Sequence, residues 1–219
     1  MGSMSTDRDG LVEDVLTKEQ QDKLKPGEVV EILREGNARF VAGDVTVRNH
    51  KAQIRKAVLS QYPKAIVLSC VDSRVPVEDV FDRGIGDLFV ARVAGNFVNT
   101  DILGSMEFAC KVSGSKVVLV LGHEHCGAVK SAIDGAELGN ITSMLTNIQP
   151  AIEQTTGFDD QRTSKNEEFV HAVTEKNVRM NLDRIRSESA VLREMEEAGQ
   201  IAIRGALYDM DDGSVTFLD

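Results

Sequence analysis

Two short segments carry the residue types that do chemistry. Cys70-Val71-Asp72-Ser73-Arg74 closes one apolar run, and Gly122-His123-Glu124-His125-Cys126-Gly127 closes another. Cysteine sulfur and imidazole nitrogen are soft to borderline ligands, the set suited to Zn2+. Cys70 and His123 lie 53 residues apart. That is too far for the local knuckles of a zinc finger or ribbon, and natural for two neighbouring strands of one sheet. In His123-x-x-Cys126 the two ligands straddle a tight strand-to-helix turn and can face one ion. Gly122 and Gly127 are expected to permit its sharp backbone. Cys70, His123 and Cys126 make three protein ligands, which leaves a fourth position for water or Asp72. A closed structural site would have four. Arg74 can form a bidentate fork with Asp72, so Asp72 has a choice between Arg74 and the ion and could gate the site.

Other residues with reactive side chains read more simply. Cys110, in a helical stretch, is expected in the core. His125 lies between two ligands and is expected to point away from them, solvated or paired with an acid. His50 and His171 have no motif around them and read as surface residues. Gly84-x-Gly86 is not followed by the rest of a dinucleotide fingerprint.

The elements that must position these residues alternate between strand and helix. Ala65–Cys70, Leu88–Val93 and Val117–Gly122 are continuous apolar runs, the pattern of strands buried on both faces of a parallel sheet. Helical patterns over Val77–Phe81, Ile102–Val112 and Ala128–Ile133 separate or follow them. From Ile141 to Gly199 the pattern is helical with a polar break at 157–166. Ile201–Tyr208 and Val215–Leu218, joined through Asp211-Asp212-Gly213, read as a terminal hairpin. The predicted fold is α/β, a mostly parallel central sheet flanked by helices, with the hairpin or an added antiparallel strand at the C-terminus. Ahead of the sheet, Thr17 to Gln20 spells a capping box. Pro26 suits the first turn of a second helix, striped by Val29, Val30, Leu33 and Phe40 and ended by Gly43. These two helices form an N-terminal arm whose apolar stripe must pack on the later sheet or on another subunit.

The Cys-x-Asp-x-Arg and His-x-x-Cys pair, as CVDSR and GHEHCG, resembles the β-class carbonic anhydrases. The resemblance runs from Asn37-Ala38-Arg39-Phe40 through Ile133 and includes Gly84 to Asp87, Val93-Ala94-Gly95-Asn96 and Gly104-Ser105-Met106-Glu107. It implies reversible hydration of CO2 to bicarbonate and a proton by attack of zinc-bound hydroxide. Asp72 and Arg74 are then the catalytic pair. Gln61 matches a position that hydrogen-bonds a substrate oxygen, Phe89 a wall of the CO2 pocket, and Gly127 completes the substrate-binding candidates. The resemblance also implies N-terminal helices that clasp a partner, in a homodimer or tetramer.

Composition bounds the alternatives. A chain of 219 residues, 42% hydrophobic and 27% charged, is a soluble globular type. Its net charge of −10 disfavours nonspecific binding to nucleic acid or anionic lipid. No apolar run reaches the roughly 18 residues of a membrane span. Three cysteines make no disulfide framework and suggest a reducing, cytoplasmic setting. Met1–Ser3 reads as a cloning scar and the segment to residue 16 as a frayed start, with 17–219 as one domain. Two other functions use the same residues: hydrolysis of a CO2 analogue such as carbonyl sulfide or carbon disulfide, and a zinc-stabilised interaction protein without turnover. The open ligand position and the Asp72–Arg74 pair disfavour the second.

Overall fold

The computed structural model describes residues 10–218; the expected cloning scar lies outside them. Helices α1 (Lys18–Lys23), α2 (Pro26–Ala42) and α3 (His50–Ala57) precede strand β1 (Ala65–Ser69). Helix α4 (Val77–Val80), β2 (Leu88–Arg92), α5 (Thr100–Glu107), a π-helical turn over Phe108–Val112 and β3 (Val117–His123) follow. Then come α6 (Gly127–Ile133), α7 (Gly139–Leu145), α8 (Gln149–Gln154), α9 (Glu167–Glu188), α10 (Ala190–Glu197), β4 (Ala202–Tyr208) and β5 (Val215–Leu218). The sheet order is β2-β1-β3-β4-β5, parallel until β5 pairs antiparallel with β4. The expected mostly parallel sheet with a terminal hairpin is therefore the observed one. The predicted Ile102–Val112 helix instead starts at Thr100, capped by Asn99, and loosens into the π-helical turn. Helix α3 carried no sequence signal because only Ala52 and Gln53 of it are buried, too few for an apolar stripe.

Alternate residues of the buried strands feed two cores. Ile66, Leu68, Val118 and Val120 face Val178, Leu182 and Ile185 of α9. Ala65, Val67, Val117, Leu119 and Leu121 face Val29, Val30 and Leu33 of α2 and Val77, Val80 and Phe81 around α4. Helix α9 lies close because two strand positions lack side chains. A Cβ on Gly122 or Gly205 would stand 2.7 Å from a methyl of Val178.

The α2 stripe at Val29, Val30 and Leu33 is buried on its own sheet, the first of the two covers the sequence left open. Fully burying each such side chain contributes roughly 1.5–3 kcal/mol. The helix touches backbone at Gly36, where a Cβ would come 2.0 Å from the Phe81 carbonyl oxygen. Asn37 donates to the carbonyls of Val80 (3.2 Å) and Gly213 (2.9 Å) and accepts from the Val215 amide (2.8 Å), joining α2 to α4 and the hairpin. Residues 10–16, expected to be part of a frayed start, are tied to the body. Val12 donates to the Val47 carbonyl and accepts from the Asn49 amide, both at 2.9 Å.

Asp82 binds this arm to the sheet domain. It is 1% exposed as a side chain and accepts from Arg39 Nε (2.6 Å), Arg48 Nη1 (2.5 Å) and Thr46 Oγ1 (2.7 Å). Burial pushes its carboxyl pKa up, but the hydrogen bonds from Arg48, Thr46 and Arg39 outweigh it and hold the group well below the usual carboxylate range. We expect Asp82→Asn, which tolerates the left-handed backbone there (φ 46°), to destabilise the protein by about 3–5 kcal/mol at pH 7. A carboxyl depressed in the folded state stabilises fully above the unfolded value of about 3.9 and loses that effect as pH falls. The gap between wild type and variant in urea unfolding should therefore narrow as the pH falls below about 4. Equal stability at pH 7 would contradict this role.

Candidate metal centre

Strand pairing assembles the centre. β1 and β3 are hydrogen-bonded neighbours, and extending their register places Cys70 level with Gly122, one residue before His123. Cys70 follows the last residue of β1, His123 ends β3, and Cys126 is the residue from which α6 starts. One ligand atom from each of the three lies within 4.8 Å of the others, and all three residues are buried. The turn that brings His123 and Cys126 together does not use its glycines as the sequence suggested. His125 is the left-handed residue (φ 52°), Gly122 serves the packing of α9, and a Cβ on Gly127 would meet nothing within 4 Å.

The donor chemistry fits a soft or borderline cation. His123 Nδ1 is 2.7 Å from the carbonyl oxygen of Glu124, so Nδ1 carries the proton and donates it, leaving the Nε2 lone pair free. Nε2 is buried with no hydrogen-bond partner. A buried nitrogen acceptor left unsatisfied costs free energy, and a cation between it and the sulfurs removes that cost. The Cys126 thiol donates to Cys70, and this bond pulls the Cys70 thiol far below its usual range. Burial opposes it, while the Gly95 N–H (3.4 Å from the sulfur) assists. The same bond and burial push Cys126 upward, while the Val129 and Ala128 N–H groups at the start of α6 favour its thiolate. Two buried sulfurs sharing one proton hold both charges only if a positive charge enters the gap. Apolar side chains, among them Val129, Ile148 and Val173, surround the sulfurs.

The loop carrying Gly95 is held by residues with no local sequence signal. Gly95 has φ +83°, and a Cβ there would meet the Ile148 side chain at 2.6 Å. Its carbonyl accepts from buried Asn177 (2.9 Å) of α9. One turn later Asn181 accepts from the Val98 amide (2.7 Å) and donates to the Asn177 carbonyl. α9 thus orients the donor to Cys70 from more than 80 residues away in sequence.

Beside the cluster, Asp72 is locked to Arg74. Nε and Nη2 of Arg74 reach Oδ1 and Oδ2 at 3.0 and 2.8 Å, and the Arg74 amide reaches Oδ1 at 3.0 Å. These bonds, against a smaller effect of burial, lower the Asp72 carboxyl to about 2. Arg92 donates to the carbonyls of Cys70 (2.9 Å) and Asp72 (2.6 Å), fixing this segment.

Two sequence candidates stand elsewhere in the chain. Gln61 is exposed and precedes Pro63 and Lys64, which belong to the amino edge of the sheet: Lys64 bonds to Asp87 and Lys116 backbone groups there. A five-residue strand of about 3.3 Å per residue separates that edge from Cys70. Phe89 pairs with Ile66 and lines a groove with Phe108, ring centroids 6.2 Å apart. Neither is gathered with Cys70, His123 and Cys126. Cys110 is a core residue, its thiol pushed up to about 12 by burial.

Comparison with known proteins agrees with this geometry. The carbonic anhydrase family model matches residues 65–215. Carbonic anhydrase 2 of Mycobacterium tuberculosis is 34% identical over 193 residues, covering 85% of this chain and 90% of its own. The carbonic anhydrase of Mycolicibacterium smegmatis is 33% identical over 184 residues, 84% of this chain and 88% of its own. Among solved structures, the β-carbonic anhydrase CafA of Aspergillus fumigatus superposes with a TM-score of 0.69 at 26% identity, covering 88% of this chain and 90% of that one. The family match runs from the first residue of β1 to the first of β5 and takes in both halves of the ligand motif; the chain belongs to the β-carbonic anhydrase family.

Proposed function

We propose that the chain catalyses zinc-dependent, reversible hydration of CO2 to bicarbonate and a proton, with Cys70, His123 and Cys126 holding the ion. The observation that carries this reading is the buried, partnerless His123 Nε2 in a cluster with two cysteine sulfurs. A zinc ion held by three protein ligands supplies Lewis acidity, lowering the pKa of a bound water from 15.7 toward about 7. The two thiolates donate charge to the site, and the Glu124 carbonyl keeps the His123 lone pair on Nε2. Asp72, ionised and gripped on both oxygens by Arg74, can only accept a hydrogen bond. With the metal in place, Asp72 would accept a hydrogen bond from the nucleophilic water or hydroxide and so orient it toward CO2. Gly127, next to Cys126, has no side chain to obstruct an approaching substrate, and a Cβ there would meet nothing within 4 Å. Three free cysteines, two of them ligands, suit a reducing, cytoplasmic setting. Among the described residues no helix is long and apolar enough to cross a membrane.

In this reading Gln61 and Phe89 serve a site completed by a second copy. β2 is an edge strand, and a groove of about 680 Å3 runs beside it between Phe89, Ala91, Gly104 and Phe108. Phe108 (53% exposed) and Val112 (70%) stand on the π-helical turn next to it. An exposed apolar edge of this kind is what a twofold partner covers.

Two variants separate the metal from its neighbour. Cys126→Ser should lose most of its zinc by elemental analysis and all hydration activity. Arg74→Ala should keep its zinc and lose about 10²-fold in kcat, as a mispositioned Asp72 predicts. Full zinc retention in the first, or full activity in the second, would remove that residue from its role. Phe108→Asp should lower the mass in light scattering from a multiple of the chain to one chain while zinc is retained. An unchanged mass would place the interface elsewhere.

A further inference from the structure

On the other side of the His123–Cys126 turn a second group of donors converges from three separate parts of the chain. Glu124 and His125 come from the turn itself and Asp211 from the β4–β5 connection. One ligand atom from each lies within 4.8 Å of the others. The left-handed backbone at His125 gives its ring to this group rather than to the cysteine cluster. His171 of α9 places Nδ1 3.4 Å from Glu124 Oε1. The same residues line a cavity of about 260 Å3, which also receives the carboxylates of Glu167 and Asp209 against a single lysine, Lys130.

We propose that Glu124, His125 and Asp211 form a second site for a divalent cation of borderline hardness, the class of Zn2+, Co2+ and Ni2+, with His171 as the neighbouring imidazole. Two carboxylates and an imidazole are hard to borderline donors and contain no sulfur, so this site differs in kind from the cysteine one. Four carboxylates around one small cavity make it a strong attractor of positive charge, which Lys130 offsets only in part. The three donors come from a strand-end turn and a hairpin connection that the Glu124 amide links through its bond to the Tyr208 carbonyl (3.1 Å). The site also shares its backbone with the catalytic ligands. The Glu124 carbonyl that fixes His123 belongs to the residue whose carboxylate would hold the second ion.

The test is a Co2+ titration of the zinc-loaded protein and of the double variant His125→Asn, Asp211→Asn, in which Asn preserves the left-handed backbone. The wild type should take up one further equivalent of Co2+ per chain while its zinc stays bound. The absorption spectrum should show ligand-field bands without a thiolate-to-cobalt charge-transfer band. The double variant should bind that equivalent at least about tenfold more weakly. Three results would overturn the proposal: no second equivalent, equal binding by the double variant, or a charge-transfer band with zinc released. The last would mean that cobalt enters the cysteine site. Retained zinc reports on the cysteine site separately, so a failure here leaves the reading of that site standing.

Discussion

Two sulfurs and an imidazole nitrogen, buried within 4.8 Å of one another, form a set of donors that the fold must both assemble and neutralise. Assembly follows from the spacing of adjacent strands, about 4.8 Å, when each strand ends in a ligand. β1 and β3 are such neighbours, although 47 residues separate the end of β1 from the start of β3. Neutralisation is the more demanding condition. An ionised sulfur in an apolar surrounding is costly without a counter-charge, and an imidazole nitrogen without a partner adds to that cost. The site therefore stores an unfavourable arrangement that a divalent cation relieves.

The rest of the molecule keeps that arrangement from relaxing. The Gly95 amide holds Cys70, Asn177 holds Gly95, and Asn181 holds both Asn177 and the far end of the loop. This chain of bonds depends on α9 lying close to the sheet, and α9 lies close because Gly122 and Gly205 have no side chains. On the opposite face, Gly36 lets α2 reach the Phe81 carbonyl, and Asp82 ties the helical arm to the body through Arg39 and Arg48. Rigid support on both faces is what lets Asp72 be set by Arg74 rather than by drift of the loop. A small displacement of a positioning group is expensive in rate.

Much of this was legible in the residues, for physical reasons. β1 and β3 are buried on both faces and so show as unbroken apolar runs, whereas β2 shows the same pattern but is a half-buried edge strand, its apolar residues facing a groove. The ligands follow β1 and β3 directly, because functional groups gather at the carboxyl edge of such a sheet. The capping box at Thr17 and the left-handed Gly43 were equally readable, since both are local. What the sequence hid was long-range. Asn177 and Asn181 look like polar interruptions of a helix until a loop more than 80 residues away supplies their partners. The α2 stripe showed that something would cover it, not that its own sheet would. Gln61 was named from the family resemblance alone, and β1 lies between it and Cys70 within one chain. His125, rather than a glycine, takes the left-handed position of the ligand turn, and no local rule singles it out.

The central claim is that the buried charges at the carboxyl edge are neutralised by one zinc ion held on sulfur and nitrogen. X-ray absorption at the zinc edge of protein carrying one equivalent of metal tests it most directly. The account predicts two sulfur donors at about 2.3 Å and one nitrogen at about 2.0–2.1 Å from the protein. A shell of nitrogen and oxygen without sulfur, or one with a single sulfur, would contradict it.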